Sequence, residues 1–238
     1  MIEPTGVPKA PGGRTLVVAC GALASELLQV VKANGLSHVD VECLPASFHN
    51  TPDVIPEAVA ARVRAAVDRY QRIFVGYGDC GTGGRLDAVC TELGVDRLPG
   101  DHCYEFLTGS QAFADLHAEE LGTFFLTDYL VKHFDRLVVK AFWLDTHPEM
   151  LDAVFNNYRR LTYLSQTDNP ELVERARAAA ERLGLTFEHR PTGLYHLEAH
   201  LLAGTGVTIE ERPDQSAFAA IPVVPKHQAQ PPSPIGGR

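Results

Sequence analysis

The sequence has no apolar run approaching the roughly 18–20 residues of a membrane helix. It also has no block of Lys and Arg that would mark a nucleic-acid face. Its charge runs the other way, with 21 Lys and Arg against 30 Asp and Glu and a formal net charge of -9. These absences set aside nucleic acid and membrane as partners and leave a small-molecule substrate. The opening MIEPTGVPKAPGGR lacks the apolar stretch of a signal peptide, so a cytoplasmic location is expected. Cysteine is scarce too: five, odd in number, dispersed and without a CxxC pair. That excludes a disulfide framework and leaves thiols that either fill a core or hold a ligand.

What is present is an alternation of strands and helices. Thr15 to Ala19 is a β-rich apolar run ending at Cys20-Gly21, and Leu23, Leu27, Val30 and Val31 then recur at helical spacing. Val39, Val41 and Cys43 alternate with polar residues as a strand does, and EAVAARVRAAVDRY reads as a helix. Arg72 to Val75 is a third strand, Arg85 to Leu93 a third helix and GVDRLPG a short fourth strand. Further on, GTFFLTDYLVKHF reads as an apolar helix over Gly122 to Phe134, with Asp128 turned to solvent, and RLVVKAFWL as a strand from Arg136. A strand near Leu161 to Leu164, the helix NPELVERARAAAERLG and the strand LTFEHRPTG follow.

The expectation is an α/β fold: a mainly parallel, Rossmann-like sheet of roughly six strands with helices on both faces. One domain would span 15–206, after a flexible N-terminus over 1–14 and before a Pro-rich tail over 207–238.

Sites in open parallel sheets form outside the carboxyl ends of the strands. Strand one ends in Cys20, the loop after strand two carries His49, strand three ends in Asp79-Cys80, and strand four is followed by His102-Cys103. Thiolate and imidazole are the ligands zinc prefers in a tetrahedral set. Cys20, His49, Cys80 and Cys103 are therefore the candidate metal ligands, with His102 the other imidazole available for the fourth position. Asp79 and Glu105 are the candidate acid/base groups, and Gly81, Thr82 and Gly83 the cofactor-binding candidates of the glycine loop. That loop, GYGDCGTGG, lacks the lysine of GxxxxGK[ST] and does not match GxGxxG, so it reads as a supporting turn rather than a nucleotide cradle. Cys43 and Cys90 share faces with apolar residues and read as core.

The segments ACGALASEL, HNTP, GYGDCGTGGRLD, DHCYEFLTG and GTFFLTDYL, in this order, resemble a prokaryotic family known as domain of unknown function 1638. The likeness covers about Thr15 to Leu202, and its matching motif positions are Cys20, His49, Cys80, His102 and Cys103. It implies a cytoplasmic protein whose genes neighbour corrinoid-dependent methyltransferases and methylamine- or betaine-type demethylation systems. The expected function is a metal-dependent, methyltransferase-type enzyme of one-carbon metabolism using zinc, with a corrinoid protein or a folate as partner. Its rivals are a metal-binding or cofactor-delivery accessory protein without turnover, an iron–sulfur protein, and an enzyme with Cys80 as nucleophile.

Overall fold

The run TLVVAC sends Leu16, Val18 and Cys20 to one face and Val17 and Ala19 to the other, and all are buried. A strand apolar on both faces belongs in the middle of a parallel sheet covered by helices on each side. The computed structural model describes residues 13–206. In chain order its elements are β1 (Thr15–Cys20), α1 (Ala24–Ala33), β2 (Val39–Leu44), α2 (Ile55–Ala66), β3 (Arg72–Gly76), α3 (Arg85–Leu93), β4 (Asp96–Arg97), the short α4 (Glu105–Thr108) and α5 (Ser110–Glu119). The second half continues with β5 (Thr123–Thr127), α6 (Asp128–Lys132), α7 (Met150–Phe155), β6 (Arg160–Ser165), α8 (Pro170–Leu183), β7 (Thr186–Pro191) and α9 (Tyr195–Thr205).

The strands form a 4-stranded sheet, β2-β1-β3-β4, and a 3-stranded sheet, β5-β6-β7, with every pair parallel. On one face of the first sheet, Leu16, Val18 and Val75 meet Ile55, Val59 and Val63 of α2 and Leu86 of α3. On the other, Val17, Ala19 and Phe74 meet Leu27 and Val30 of α1, Phe106 of α4, and Leu197 and Leu201 of α9. The closing helix thus returns to the first sheet, so close that a Cβ on Gly204 would lie 2.4 Å from the Phe74 ring. In the second sheet Leu126, Leu161 and Tyr163 pack on Leu172, Ala176 and Leu183 of α8. That helix is capped by Asn169, whose Oδ1 accepts from the Glu171 and Leu172 amides at 3.0 and 3.4 Å.

The α/β character and the helix-covered parallel strands agree with the sequence. The count and arrangement differ: seven strands in two sheets rather than roughly six in one. The expected helix over Gly122 to Phe134 is divided between the strand β5 (Thr123–Thr127) and the short helix α6 (Asp128–Lys132). TFFLT is aromatic and β-branched, and Thr127 Oγ1 accepts from the Leu130 amide at 3.4 Å, so the helix starts only at Asp128. The expected strand from Arg136 is a π-type turn over Asp135–Val139. Its polar backbone is satisfied locally: the Arg136 and Leu137 amides donate to His133 O at 3.0 and 2.9 Å, and Asp135 O and Val139 O each accept at 2.8 Å, from Lys140 N and Leu144 N, so it needs no ladder partner. Cys43, expected in the core, is exposed on the edge strand β2, whereas Cys90 is buried. The described residues belong to one compact unit; the expectations for residues before Gly13 and after Gly206 lie outside them. No helix among the described residues is long and apolar enough to cross a membrane.

Candidate functional site

The loops after β3 and β4 are built as one piece. Leu98 N donates to Val75 O at 2.9 Å, Asp79 N to Gly100 O at 3.1 Å and Cys80 N to Asp101 O at 2.8 Å, which extends the β3–β4 pairing beyond the sheet. Gly78 permits this contact, because a Cβ there would lie 3.2 Å from the His102 backbone. Arg97 pins the same loop. It pairs with Asp87 at 2.6 and 2.8 Å, and its Nη1 donates to Leu98 O at 2.6 Å and Gly100 O at 3.1 Å. Cys80 is held at φ 49, a left-handed conformation that a non-glycine residue adopts only when its surroundings enforce it. The result is that Cys80 and Cys103 face one another.

Asp79 and the glycine loop serve this scaffold. The Asp79 carboxylate accepts from Thr82 Oγ1 at 2.6 Å, Gly83 N at 2.9 Å and Gly84 N at 2.8 Å. Burial pushes its pKa up, but the bonds from Thr82, Gly84 and Gly83 outweigh that and hold it below the ordinary value. The amide of Gly83 and the hydroxyl of Thr82 that an anion would meet are therefore already engaged. Glu105 Oε1 accepts from the Asp101 and His102 amides at 2.7 and 3.1 Å, closing the loop that leads into α4. Neither Asp79, Glu105, Gly81, Thr82 nor Gly83 lines the cavity described next.

That cavity, of ≈ 150 Å³, lies at the carboxyl edges of both sheets. From the first sheet come Cys20, His49, Tyr77, Cys80, Cys103 and Tyr104; from the second half come Phe124, Phe125, Thr127, Tyr129, Leu130 and Phe142. The four candidate metal ligands thus line a single space, although they arise from four different strand edges. His102 does not line it; its ring lies 5.6 Å from that of His49. A larger groove of ≈ 720 Å³ runs along the opposite, amino edge of the first sheet, by Arg72, Val95 and Asp96. It contains no cysteine, and ligands of parallel α/β sheets bind at the carboxyl edge, so the smaller cavity is the functional candidate.

The thiols differ in acidity. Burial drives Cys20 up to about 11. Interaction with Cys103 lowers the pKa of Cys80 against burial, while interaction with Cys80 and burial raise that of Cys103, whose Sγ lies 3.8 Å from His102 Nδ1. No lysine, arginine or carboxylate lines the cavity, so no cationic side chain in the wall offsets a thiolate. Both imidazoles are held neutral by burial, His102 down to about 4 with a further lowering from His49, which leaves them free to act as ligands. The donor types suit a soft or borderline metal. As the side chains stand, no three His, Cys, Asp or Glu among the described residues are gathered into a metal cage.

Three participants escape sequence reasoning. Arg97 reads as an ordinary surface charge. Tyr77 and Tyr104 stand beside the motif cysteines, and their proximity to GDCG and HC was the available signal. Asp128, expected in solvent, is wholly buried. His196 and His200 lie on α9, and neither lines the cavity.

A family model described as a protein of unknown function (DUF1638) matches residues 43–201, more than half of the chain. The chain belongs to that family. No curated protein and no solved structure gives a significant match. The DUF1638 match includes His49, Cys80, His102 and Cys103 and starts after Cys20.

Proposed function

We propose that this chain is a zinc-dependent enzyme of one-carbon chemistry, with the metal held by Cys20, His49, Cys80 and Cys103. The observation that carries this reading is convergence. Four soft or borderline donors, widely separated in sequence, line one mostly apolar cavity that has no lysine, arginine or carboxylate in its wall. A dication there would supply the charge that lets more than one of these thiols ionise, and metal ligation draws the proton from a thiol outright. When bound, zinc would lower the pKa of a coordinated thiol or water and polarise a leaving group.

The chain's own residues do the rest. Cys103 and Cys80 would turn toward the ion. The Asp79 turn and the Arg97 clamp hold their loops in place, and the phenylalanine wall excludes water. A corrinoid protein or a folate as the methyl-carrying partner is part of this proposal and rests on the family likeness alone.

A second reading, a metal-binding accessory protein without turnover, has one observation in its favour: no carboxylate stands in the cavity wall to serve as acid or base. Metal analysis comes first in either case. Full-length protein purified without oxygen and supplied with zinc is expected to hold about one zinc per chain. Cys80→Ser and Cys103→Ser should each lose at least tenfold in metal affinity, while Cys43→Ser should match the wild type. Iron with visible absorption would establish the iron–sulfur alternative. Protein that binds no metal under any of these conditions would end the metal reading.

A further inference from the structure

Two buried polar side-chain atoms among the described residues have no hydrogen-bond partner, and one of them, the Tyr77 hydroxyl, belongs to the wall of the thiol cavity. Tyr77 is 2% exposed and follows β3 directly, three residues before Cys80. Its hydroxyl faces the Cys20 thiol without reaching hydrogen-bonding geometry. A buried hydroxyl without a partner is unfavourable for folding, so its retention at this place points to a partner that arrives with a ligand.

The cavity describes that ligand. A dry apolar cavity of about 150 Å³ takes a molecule of roughly benzene's size, and this one measures ≈ 150 Å³. Phe124, Phe125, Leu130 and Phe142 offer it apolar surface. No lysine, arginine, aspartate or glutamate lines the space to pair with a charged group, and an unpaired buried charge is far costlier than an unpaired dipole.

We propose that Tyr77 is a positioning residue that donates its hydroxyl hydrogen to a small neutral ligand with an apolar body and a single acceptor atom, holding that atom beside Cys20 and Cys80. This rests on reading the cavity as the functional site, but does not depend on which metal, if any, the thiols hold.

The test compares two probes of one shape, cyclopentanone and methylenecyclopentane, which differ in whether an acceptor oxygen is present. Binding to the full-length chain is followed by ligand-observed NMR, for wild type and Tyr77→Phe, each with zinc and metal-free. Tyr77→Phe is expected to weaken the ketone by about two- to tenfold, the worth of one hydrogen bond, and to leave the alkene unchanged. Its melting temperature should equal or exceed that of the wild type, because the hydroxyl has no partner in the fold.

A ketone that binds both proteins equally, a matching loss for both probes, or failure of either probe to bind the wild type would overturn the assignment. So would a Tyr77→Phe chain that melts lower or fails to fold, since the hydroxyl would then serve the structure. Metal content is measured on the same samples. Probe discrimination without zinc binding would refute the metal reading alone, and zinc binding without discrimination would refute the Tyr77 assignment alone.

Discussion

The two sheets carry buried polar groups at their carboxyl edges in opposite conditions. Past β5, Asp128 is 0% exposed, yet its carboxylate accepts from the Tyr163 hydroxyl at 2.7 Å, the Gln166 amide at 3.0 Å and the Thr167 hydroxyl. Its own amide donates to Gln166 Oε1 at 2.9 Å. Past β3, the Tyr77 hydroxyl has no partner, and the Cys103 thiol has only a long contact to His102 Nδ1 at 3.8 Å among the hydrogen bonds of the described residues. A satisfied buried network fixes a fold, whereas an unsatisfied one is tolerated where something else completes it. The second sheet therefore reads as a braced wall and the first as the chemical edge.

The largest effect should come from breaking the braced side. Asp128→Ala would leave the Tyr163 hydroxyl, the Gln166 amide and the Thr167 hydroxyl without their acceptor in the interior. A loss of about 3 kcal/mol in unfolding free energy is expected by denaturant titration. A loss below about 1 kcal/mol, within the range of ordinary surface substitutions, would mean that the network does not brace the sheet.

How much of this was legible in the sequence follows from the same contrast. The first sheet was readable because each of its opening strands is a short apolar run followed at once by a turn or a helical period, and the carboxyl edge could then be read off as Cys20, His49, Cys80 and Cys103. The second sheet was harder. Thr123–Thr127 is short and apolar and runs directly into Asp128–Lys132, so one apolar stretch concealed a strand and a helix. Val138 and Val139 have strand propensity but are buried within a π-type turn, where tertiary packing overrides it. Asp128 could not be recognised as buried, because its partners Gln166 and Thr167 arrive from the turn just after β6, nearly forty residues on in sequence. Sequence pattern finds groups at predictable edges, but long-range satisfaction of a polar group leaves no local trace.

An intermediate effect should come from a bond that joins the two regions. The Tyr104 hydroxyl donates to Phe125 O at 3.3 Å, from the loop before α4 to β5 across the cavity wall. Tyr104→Phe removes that bond and keeps the tilted ring contacts with Phe113 and Phe125. A loss of about 0.5–1 kcal/mol is expected at equilibrium. Faster amide exchange along β5 in the variant would show that this bond helps to fix the second wall against the first. Unchanged exchange and unchanged stability would leave the two walls coupled by apolar packing alone.

The smallest and most informative effect concerns Glu26, which shares the unsatisfied condition of Tyr77 but lies on α1, outside the cavity wall. It lies in the first turn of α1, 4% exposed, with Oε2 unpartnered. Burial raises its pKa, its own backbone amide lowers it, the Asp128 carboxylate adds to the rise, and Lys132 works against it. A carboxyl whose pKa is higher folded than unfolded binds its proton more tightly in the native state. Its burial is therefore least costly below the unfolded value of about 4.3. Stability is lost as pH rises from there through the folded pKa, and the loss is complete above it. Glu26→Gln should accordingly be more stable than the wild type at pH 7, and the advantage should shrink as the pH is brought down to 4. Denaturant midpoints across that range measure it directly. A variant less stable at pH 7, or an offset independent of pH, would show that Glu26 is a satisfied member of the Asp128 side and not a strained carboxyl between the two.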